Sequence, residues 1–564
     1  MKILNVIHLG NVKGDLFGGV TAAIIALPMA LAFGVASGAG AEAGLYGAIL
    51  VGLFAALFGG SPALISEPTG PMTVVMTAVI AGFIAANPED GMAMAFTVVV
   101  LAGCFQILFG VLKLGQYVTL MPYTVISGFM TGIGVILIVL QSAPLLGHST
   151  PSGGVLGAFQ ALPDLLGTIQ PYEAALGLTT LVILFVTPKQ ISRYLPPQLI
   201  ALLIGTIISL TFISDVGLRR IGEIPAGLPS FQMPVFSIDQ WKVMVINAAV
   251  LGMLGCIDAL LTSVIADTLT KQQHNSDKEL IGQGTGNVIS GLFGGLPGAG
   301  ATMGTVVNIQ AGGRTALSGI TRALILLIVV VWAADLTASI PLAVLAGIAI
   351  KVGINIIDWG FLKRAHRVSG KGAIIMYGVI LLTVFVDLIT AVGIGLFVAN
   401  VITIRRMSNL QASGLRGVRS HKDTSIPLIP EEREILRLAN ERIMLFHLNG
   451  PMIFGLAKAI SRKSIEIENC DAIILDFGAV PHMGVSSSLA LEEMIEENVK
   501  AGRDVYIVGA QGQTWKRLED LGVTSVVAES NILNNRAKAL RSALEHIEKR
   551  EQAQDAENMV ASAN

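Results

Sequence analysis

The sequence predicts a polytopic α-helical membrane domain of fourteen segments, built as two inverted seven-segment repeats, followed by a small α/β domain. Three observations carry this. Charge nearly vanishes from the first 406 residues, two short Gly/Pro-broken segments hold matching places in the two halves, and strand and helix patterns alternate after residue 430. Of the first 406 positions 36 are charged, about 9%; of the last 158, 40 are, about 25%, the usual share for a soluble domain. No Lys or Arg occurs between Lys13 and Lys113, or between Lys113 and Lys189. A water-soluble core of that size still needs a charged shell, so a soluble enzyme is excluded. The net charge of -2 leaves no basic face for nucleic acid. Cys104, Cys256 and Cys470 have the spacing of neither a disulfide framework nor a zinc site.

Apolar stretches run near 16–36, 43–58, 70–86, 93–112, 118–140, 172–187, 196–213, 243–265, 281–294, 302–311, 317–334, 339–350, 372–386 and 388–404. The stretch MKILNVIHLGNVKGD is too polar for a signal h-region and is expected to be a short cytoplasmic lead-in. With both ends inside, Arg219, Arg220 and Lys242 fall outside and the other Lys and Arg of residues 1–406, including Arg193 and Arg322, fall inside. The positive-inside rule therefore supports an even count with both termini cytoplasmic.

The two broken segments share a pattern. One reads Gly59-Gly60-Ser61-Pro62, then Ser66-Glu67-Pro68-Thr69-Gly70-Pro71-Met72-Thr73; the other reads Gly294-Gly295-Leu296-Pro297, then Gly298-Ala299-Gly300-Ala301-Thr302-Met303-Gly304-Thr305. Each is third in its half, and paired broken helices point to a transporter's midplane site. Their N-termini aim N–H groups and positive dipole ends at one cavity, which suits a small anion with Thr69 and Thr302 as neutral donors.

Asp258 is the acid inside a span, with Thr262 four residues on along the same face. No Lys or Arg is expected at comparable depth. Asp258, Thr262 and loose carbonyls of Gly298–Thr302 form an oxygen set for an alkali cation or a proton. Glu67 is expected to shape its loop or its water-facing end; Asp335, Asp387, Asp15 and Glu42 are expected near interfaces. Gly295–Thr302 fits GxxxxGxT, but Ala301 stands where a P-loop needs Lys and no strand precedes it, so there is no nucleotide site and transport must run on gradients.

Residues 407–430 read as a linker and 431–550 as an α/β domain. Strands are expected at 442–448, 472–477 and 504–509, helices at 454–463, 487–500, 513–521 and 535–550, and a disordered tail at 551–564.

Pro28-Met29-Ala30-Leu31-Ala32-Phe33, Gly44-Leu45-Tyr46, Phe58-Gly59-Gly60-Ser61 and Val307-Asn308 resemble signatures of the SulP family of anion transporters, and Leu475–Val480 with Met483–Ser487 resembles its STAS domain. The resemblance covers nearly the whole chain. It implies a UraA/SulP-like fold of core and gate domains (repeats about 14–213 and 240–406), an elevator-like cycle, a STAS domain in the cytoplasm and a homodimer formed through it, in the inner membrane. Gly304 replaces the arginine of the family's SRxxVN motif, so an anion beside Asp258 would face uncompensated charge unless a cation bound as well. SEPTGPMTVVMTAVI, LGMLGCIDALLTS and GAGATMGTVVNIQ are similar to the sodium-dependent bicarbonate transporters of this family. That likeness implies sodium as coupling ion on Asp258, Thr262, Gly300 and Thr302, and bicarbonate on Thr69, Ala301 and Thr302, imported for inorganic carbon accumulation. In the STAS loop the phosphorylated serine of related regulators falls on Ser486, but Gly484 and Val485 replace its Asp-Ser context, which implies dimerisation or docking instead. A proton-coupled sulfate or dicarboxylate symporter, a chloride channel and a membrane-tethered signalling scaffold stay open as alternatives.

Overall fold

The computed structural model of the chain describes residues 5 and 9–563, apart from 119–121, 152, 193–194, 214–216, 223–227, 333–336, 387, 413, 454–466 and 468–469. Arg193, Asp335, Asp387 and the helix expected at 454–463 lie outside the described residues. Contacts divide the chain into Met1–Ala399 and Asn400–Asn564, a few residues before the break expected from composition.

A helix lies over each of the fourteen apolar stretches, the last of them continuing past Ala399. The first repeat holds α1 (Val12–Ser37), α2 (Ala41–Phe58), α3 (Gly70–Ala86), α4 (Gly91–Val111), α5 (Tyr123–Leu145), α6 (Gly154–Gly167), α7 (Pro171–Val186) and α8 (Pro197–Thr211). The second holds α9 (Trp241–Thr270), α10 (Ser276–Leu292), α11 (Thr302–Gln310), α12 (Ala316–Trp332), α13 (Leu342–Ile356), α14 (Gly370–Phe385) and α15 (Leu388–Ala412). Helix α6 lies outside the fourteen stretches and meets α7 at a bend of 115°. Among the described residues α1, α2, α4, α5 and α9 are individually long and apolar enough to cross a bilayer; α3, with 17 residues, and α11, with 9, are not.

The packing repeats itself. Helix α1 packs on α12 as α9 packs on α4; α2 packs on α12 as α10 packs on α4; α5 packs on α14 as α13 packs on α7. Each pair becomes the other when α1 to α5 and α7 exchange with α9 to α14, the relation an internal two-fold produces. Helices α1–α4 and α9–α12 form one body. Helices α5, α7, α8, α13 and α14 form a second, which meets the first where α1 touches α8 and α13, and α3 touches α5.

Each broken helix is preceded by extended backbone, and the two stretches meet. β1 (Ser66–Glu67) pairs antiparallel with β2 (Ala299–Gly300), Ser66 opposite Gly300 and Glu67 opposite Ala299. Gly298 makes this approach possible: a Cβ there would lie 2.8 Å from the Glu67 carbonyl carbon and oxygen. Pro71 sits in the first turn of α3, where its missing N–H leaves no helical bond unmade.

The second unit is a five-stranded sheet in the order β3-β4-β5-β6-β7. Its strands are β3 (Leu415–Val418), β4 (Ile443–Asn449), β5 (Ala472–Ala479), β6 (Asp504–Val508) and β7 (Ile532–Leu533). The β3–β4 pair is antiparallel and the rest parallel. Its helices are α16 (Pro430–Leu438), α17 (Val485–Lys500), α18 (Gly512–Asp520) and α19 (Arg536–Ala563). The period of two divides the strands between two apolar layers. Phe446, Leu475 and Ile507 face α17, while Leu445, Ile474 and Tyr506 face Leu540 and Ala543 of α19. Two expectations change. Strand β3 arises inside the expected linker, because Leu415 and Val418 are apolar enough to cover the sheet edge. Helix α19 runs through 551–563, the stretch expected to be disordered.

Candidate functional site

The site lies where β1–β2 crosses in front of α9. Because the strands pair, the starts of α3 and α11 come together, and Asp258 and Thr262 of α9 face them one helical turn apart. The Thr69 hydroxyl donates to Asp258 Oδ2 at 2.8 Å. The buried Thr262 hydroxyl donates to the Gly300 carbonyl at 2.8 Å and lies 3.0 Å from the Thr302 hydroxyl. The structure thus brings together Asp258, Thr69, Thr262, Gly300 and Thr302, from three separate segments. Ala301 lines the same corner, but its N–H donates to the Ile65 carbonyl at 2.8 Å. N–H groups without an intrahelical acceptor remain in the first turn of α11, at Thr302, Met303 and Gly304.

On one side Asp258 borders a void of about 10 Å³ closed by Val125, Ile126, Phe129 and Met130 of α5, room for about one water. On the other, Thr302 and Met303, at the start of α11, and Val264 of α9 are exposed. Helix α5 is fastened opposite Asp258 from the far end: Tyr123 and Ser127 donate to Asp358 Oδ2 at 2.7 and 2.8 Å.

The loops behind the site are held by buried amides and acids. The Asn287 side chain accepts from the Gly298 N–H at 2.7 Å and donates to the Gly298 carbonyl at 2.9 Å and to Gln106 at 2.8 Å. Glu279 accepts from the N–H groups of Gly60 and Ser61, both at 2.8 Å. Asp15 is buried and accepts from the N–H groups of Arg314 and Thr315, so it caps a loop rather than meeting water.

One expectation is overturned. A base does lie at the depth of the broken helices: Arg322, fully buried on α12, pairs with Glu67 at 2.5 Å and donates to the carbonyls of Ala48 and Ser66. Glu67 is accordingly a buried partner and not a water-facing group. Gly52 makes room, since a Cβ there would stand 2.4 Å from the Arg322 guanidinium. Arg322 neutralises Glu67, whereas among the described residues no salt bridge reaches Asp258. Sequence sorting had placed Arg322 in a loop, although it is the seventh residue of a 17-residue helix. Position within the helix was the available signal. Gln106, Asn287 and Gln283 were also missed; polar amides in otherwise apolar helices were the sign.

A helical body crossed by two broken helices and carrying an unpaired acid defines a secondary transporter of the inverted-repeat class, not an enzyme. The sulfate permease family matches residues 12–379 and the STAS domain residues 435–539. The chain belongs to the sulfate permease family, with a C-terminal STAS domain. It is 64% identical over 544 residues, 96% of each chain, to the bicarbonate transporter BicA of Synechocystis sp.. It is similar to the solved transmembrane domain of a cyanobacterial BicA, at 69% identity and a TM-score of 0.66, covering 70% of this chain and all of that one. SLC26A9 shares the fold at 18% identity and a TM-score of 0.81, covering 96% of this chain and 91% of that one.

Proposed function

We propose that the chain is a sodium-dependent bicarbonate symporter of the inner membrane, with both termini and the STAS domain cytoplasmic. The observation that carries this is Asp258: an acid at the anion site whose hydrogen-bond partner is a hydroxyl, while Arg322 is committed to Glu67. An anion beside that carboxylate needs a positive charge from solution. Sodium is held by Asp258, the hydroxyls of Thr262 and Thr302 and the Gly300 carbonyl, an all-oxygen set suited to a hard cation. Bicarbonate sits against the start of α11 and the Thr302 hydroxyl, with Ala301 and Thr69 at its edge; Thr69 also orients Asp258. Each ion lowers the cost of the other, which makes their binding mutually dependent. The 64% identity to BicA across almost the full length supports bicarbonate as the anion.

Transport follows from the two bodies. The site rides on α1–α4 and α9–α12, and α5 and α13 form the surface past which it moves. The STAS domain joins two copies as a homodimer. The test is uptake of labelled bicarbonate into proteoliposomes of the pure protein. Sodium replaced by choline is expected to abolish accumulation, and equal uptake in choline would overturn the reading.

A further inference from the structure

Behind the ion site, α10 carries a ladder of polar side chains. Glu279, Gln283 and Asn287 recur every four residues and Ser290 follows, so they stack along one side of the helix. All four are buried, and each holds a different piece of the two broken segments. Glu279 takes the N–H groups of Gly60 and Ser61, Gln283 donates to the Ser66 hydroxyl at 2.6 Å, and Ser290 donates to the Leu296 carbonyl at 2.7 Å. Asn287 grips one residue on both sides: its Oδ1 accepts from the Gly298 N–H at 2.7 Å, and its Nδ2 donates to the Gly298 carbonyl at 2.9 Å. Gln106 accepts from the same Nδ2 at 2.8 Å and fixes the plane of the amide. Gly298 stands two residues before Gly300, whose carbonyl is the backbone oxygen of the cation set. The other ligands ride on α9 or on the first turn of α11, but Gly298-Ala299-Gly300, with two glycines, has little stiffness of its own. Three contacts place it: Asn287 at its start, the pairing with Ser66 and Glu67, and the Ala301 N–H on the Ile65 carbonyl at its end. Of these three, only the grip of Asn287 comes from a side chain.

We propose that Asn287 is a positioning residue that sets the preference of this site for sodium over other alkali ions, by fixing the Gly300 carbonyl through Gly298. That role rests on the sodium reading above. Alkali ions carry the same charge and differ chiefly in radius, so discrimination among them depends on ligand number, cavity size and how firmly the ligands are held. A carbonyl held in place fits one radius. Without the amide the strand is freed, the carbonyl follows ions of other radii, and sodium, the fitted ion, loses more than its competitors.

The test is initial uptake of labelled bicarbonate into proteoliposomes of the full chain, driven by sodium or by lithium. Two quantities are read: the half-saturating sodium concentration, and the rate in lithium as a fraction of the rate in sodium at equal, subsaturating concentration. Asn287→Ala is expected to raise half-saturating sodium about 10-fold or more, the usual effect of losing a group that orients a metal ligand, and to raise the lithium fraction. A mere loss of packing lowers the maximal rate and the melting temperature but leaves the lithium fraction where it was. Leu176→Ala, which opens a cavity at a buried position of α7 in the second body, supplies that comparison and should leave both quantities unchanged. Asn287→Ala with both quantities unchanged overturns the proposal, and so does Leu176→Ala shifting them equally. If the alanine variant does not fold, Asn287→Ser, which keeps a hydroxyl facing Gly298, is held to the same criteria. Sodium-independent uptake by the unmodified chain overturns the sodium reading and this role together, and is distinguished by appearing before any substitution is made.

Discussion

Replacing Asp258 by Asn keeps the shape and the Thr69 contact but removes the one charge facing the proposed cation. Its size follows from the geometry. Asp258 Oδ2 is 2.8 Å from Thr69 and, among the described residues, hydrogen-bonds to no cationic side chain, so a bound sodium ion would take nearly its whole attraction from this carboxylate. Two unit charges about 4 Å apart at an effective dielectric near 20 attract by about 4 kcal/mol, or about three decades in affinity. The Asn carbonyl dipole restores part, leaving a loss of two to three decades. The assay is initial uptake of labelled bicarbonate against sodium concentration, with thermal unfolding as a control for folding. Half-saturating sodium is expected to rise by about 100-fold to 1000-fold, and the apparent bicarbonate affinity to fall with it, since coupling is reciprocal. An unchanged half-saturating sodium concentration, with only the maximal rate reduced, would refute the reasoning. The cation would then lie elsewhere and Asp258 would serve the fold.

Breaking the buried pair by Glu67→Leu or Arg322→Met alone should cost about 3–5 kcal/mol, read as a large fall in thermal stability in detergent, whereas the double replacement should recover most of it. Additive losses would show that the two side chains do not act as a pair. Gly298→Val places branched carbon against the Glu67 backbone, 2.8 Å from where its Cβ would stand; uptake should fall at least tenfold while the protein still elutes as a folded species. In the second unit, His447, the Gly478 N–H and Arg536 outweigh the burial of Asp476 and hold its carboxyl below the ordinary carboxylate range. A depressed acid stabilises the fold above its ordinary range and loses that contribution as pH falls through its folded value. Asp476→Asn should therefore cost about 1–3 kcal/mol at pH 7, with the gap narrowing below about pH 4, as followed by hydrogen exchange across β4–β6. A pH-independent gap would rule the charge out.

The membrane architecture was legible because the solvent imposes it. A chain in lipid must keep charge out of its spans, so the stretches from Leu16 to Ile404 stand out, and Gly/Pro interruptions can persist only where backbone is protected. The broken helices were legible as a pair for the same reason. Their contact through Ser66 and Gly300 was not, since two-residue strands carry no periodicity. Arg322 was misplaced because a loop-sorting rule sends every base to the nearer interface, and only a depth within α12 shows that its partner is Glu67. The Ala301 N–H likewise had to be seen, since its acceptor, Ile65, lies more than 200 residues away in the chain. In the second unit the parallel strands announced themselves by apolar runs. Short edge strands such as β3 depend on a neighbour that local pattern does not name.

The Glu67–Arg322 pair has an electrical consequence. Since these two charges cancel inside the body that carries the site, the charge crossing the membrane field at that depth is set by Asp258 and whatever it binds. With one sodium and one bicarbonate aboard, that body carries the same net charge as when empty. Membrane potential, worth about 2.3 kcal/mol per charge per 100 mV, then biases the loaded and empty passages equally and drops out of the net driving force. Accumulation would follow the sodium concentration ratio alone, and currents recorded from a supported membrane on adding both ions should show no steady component.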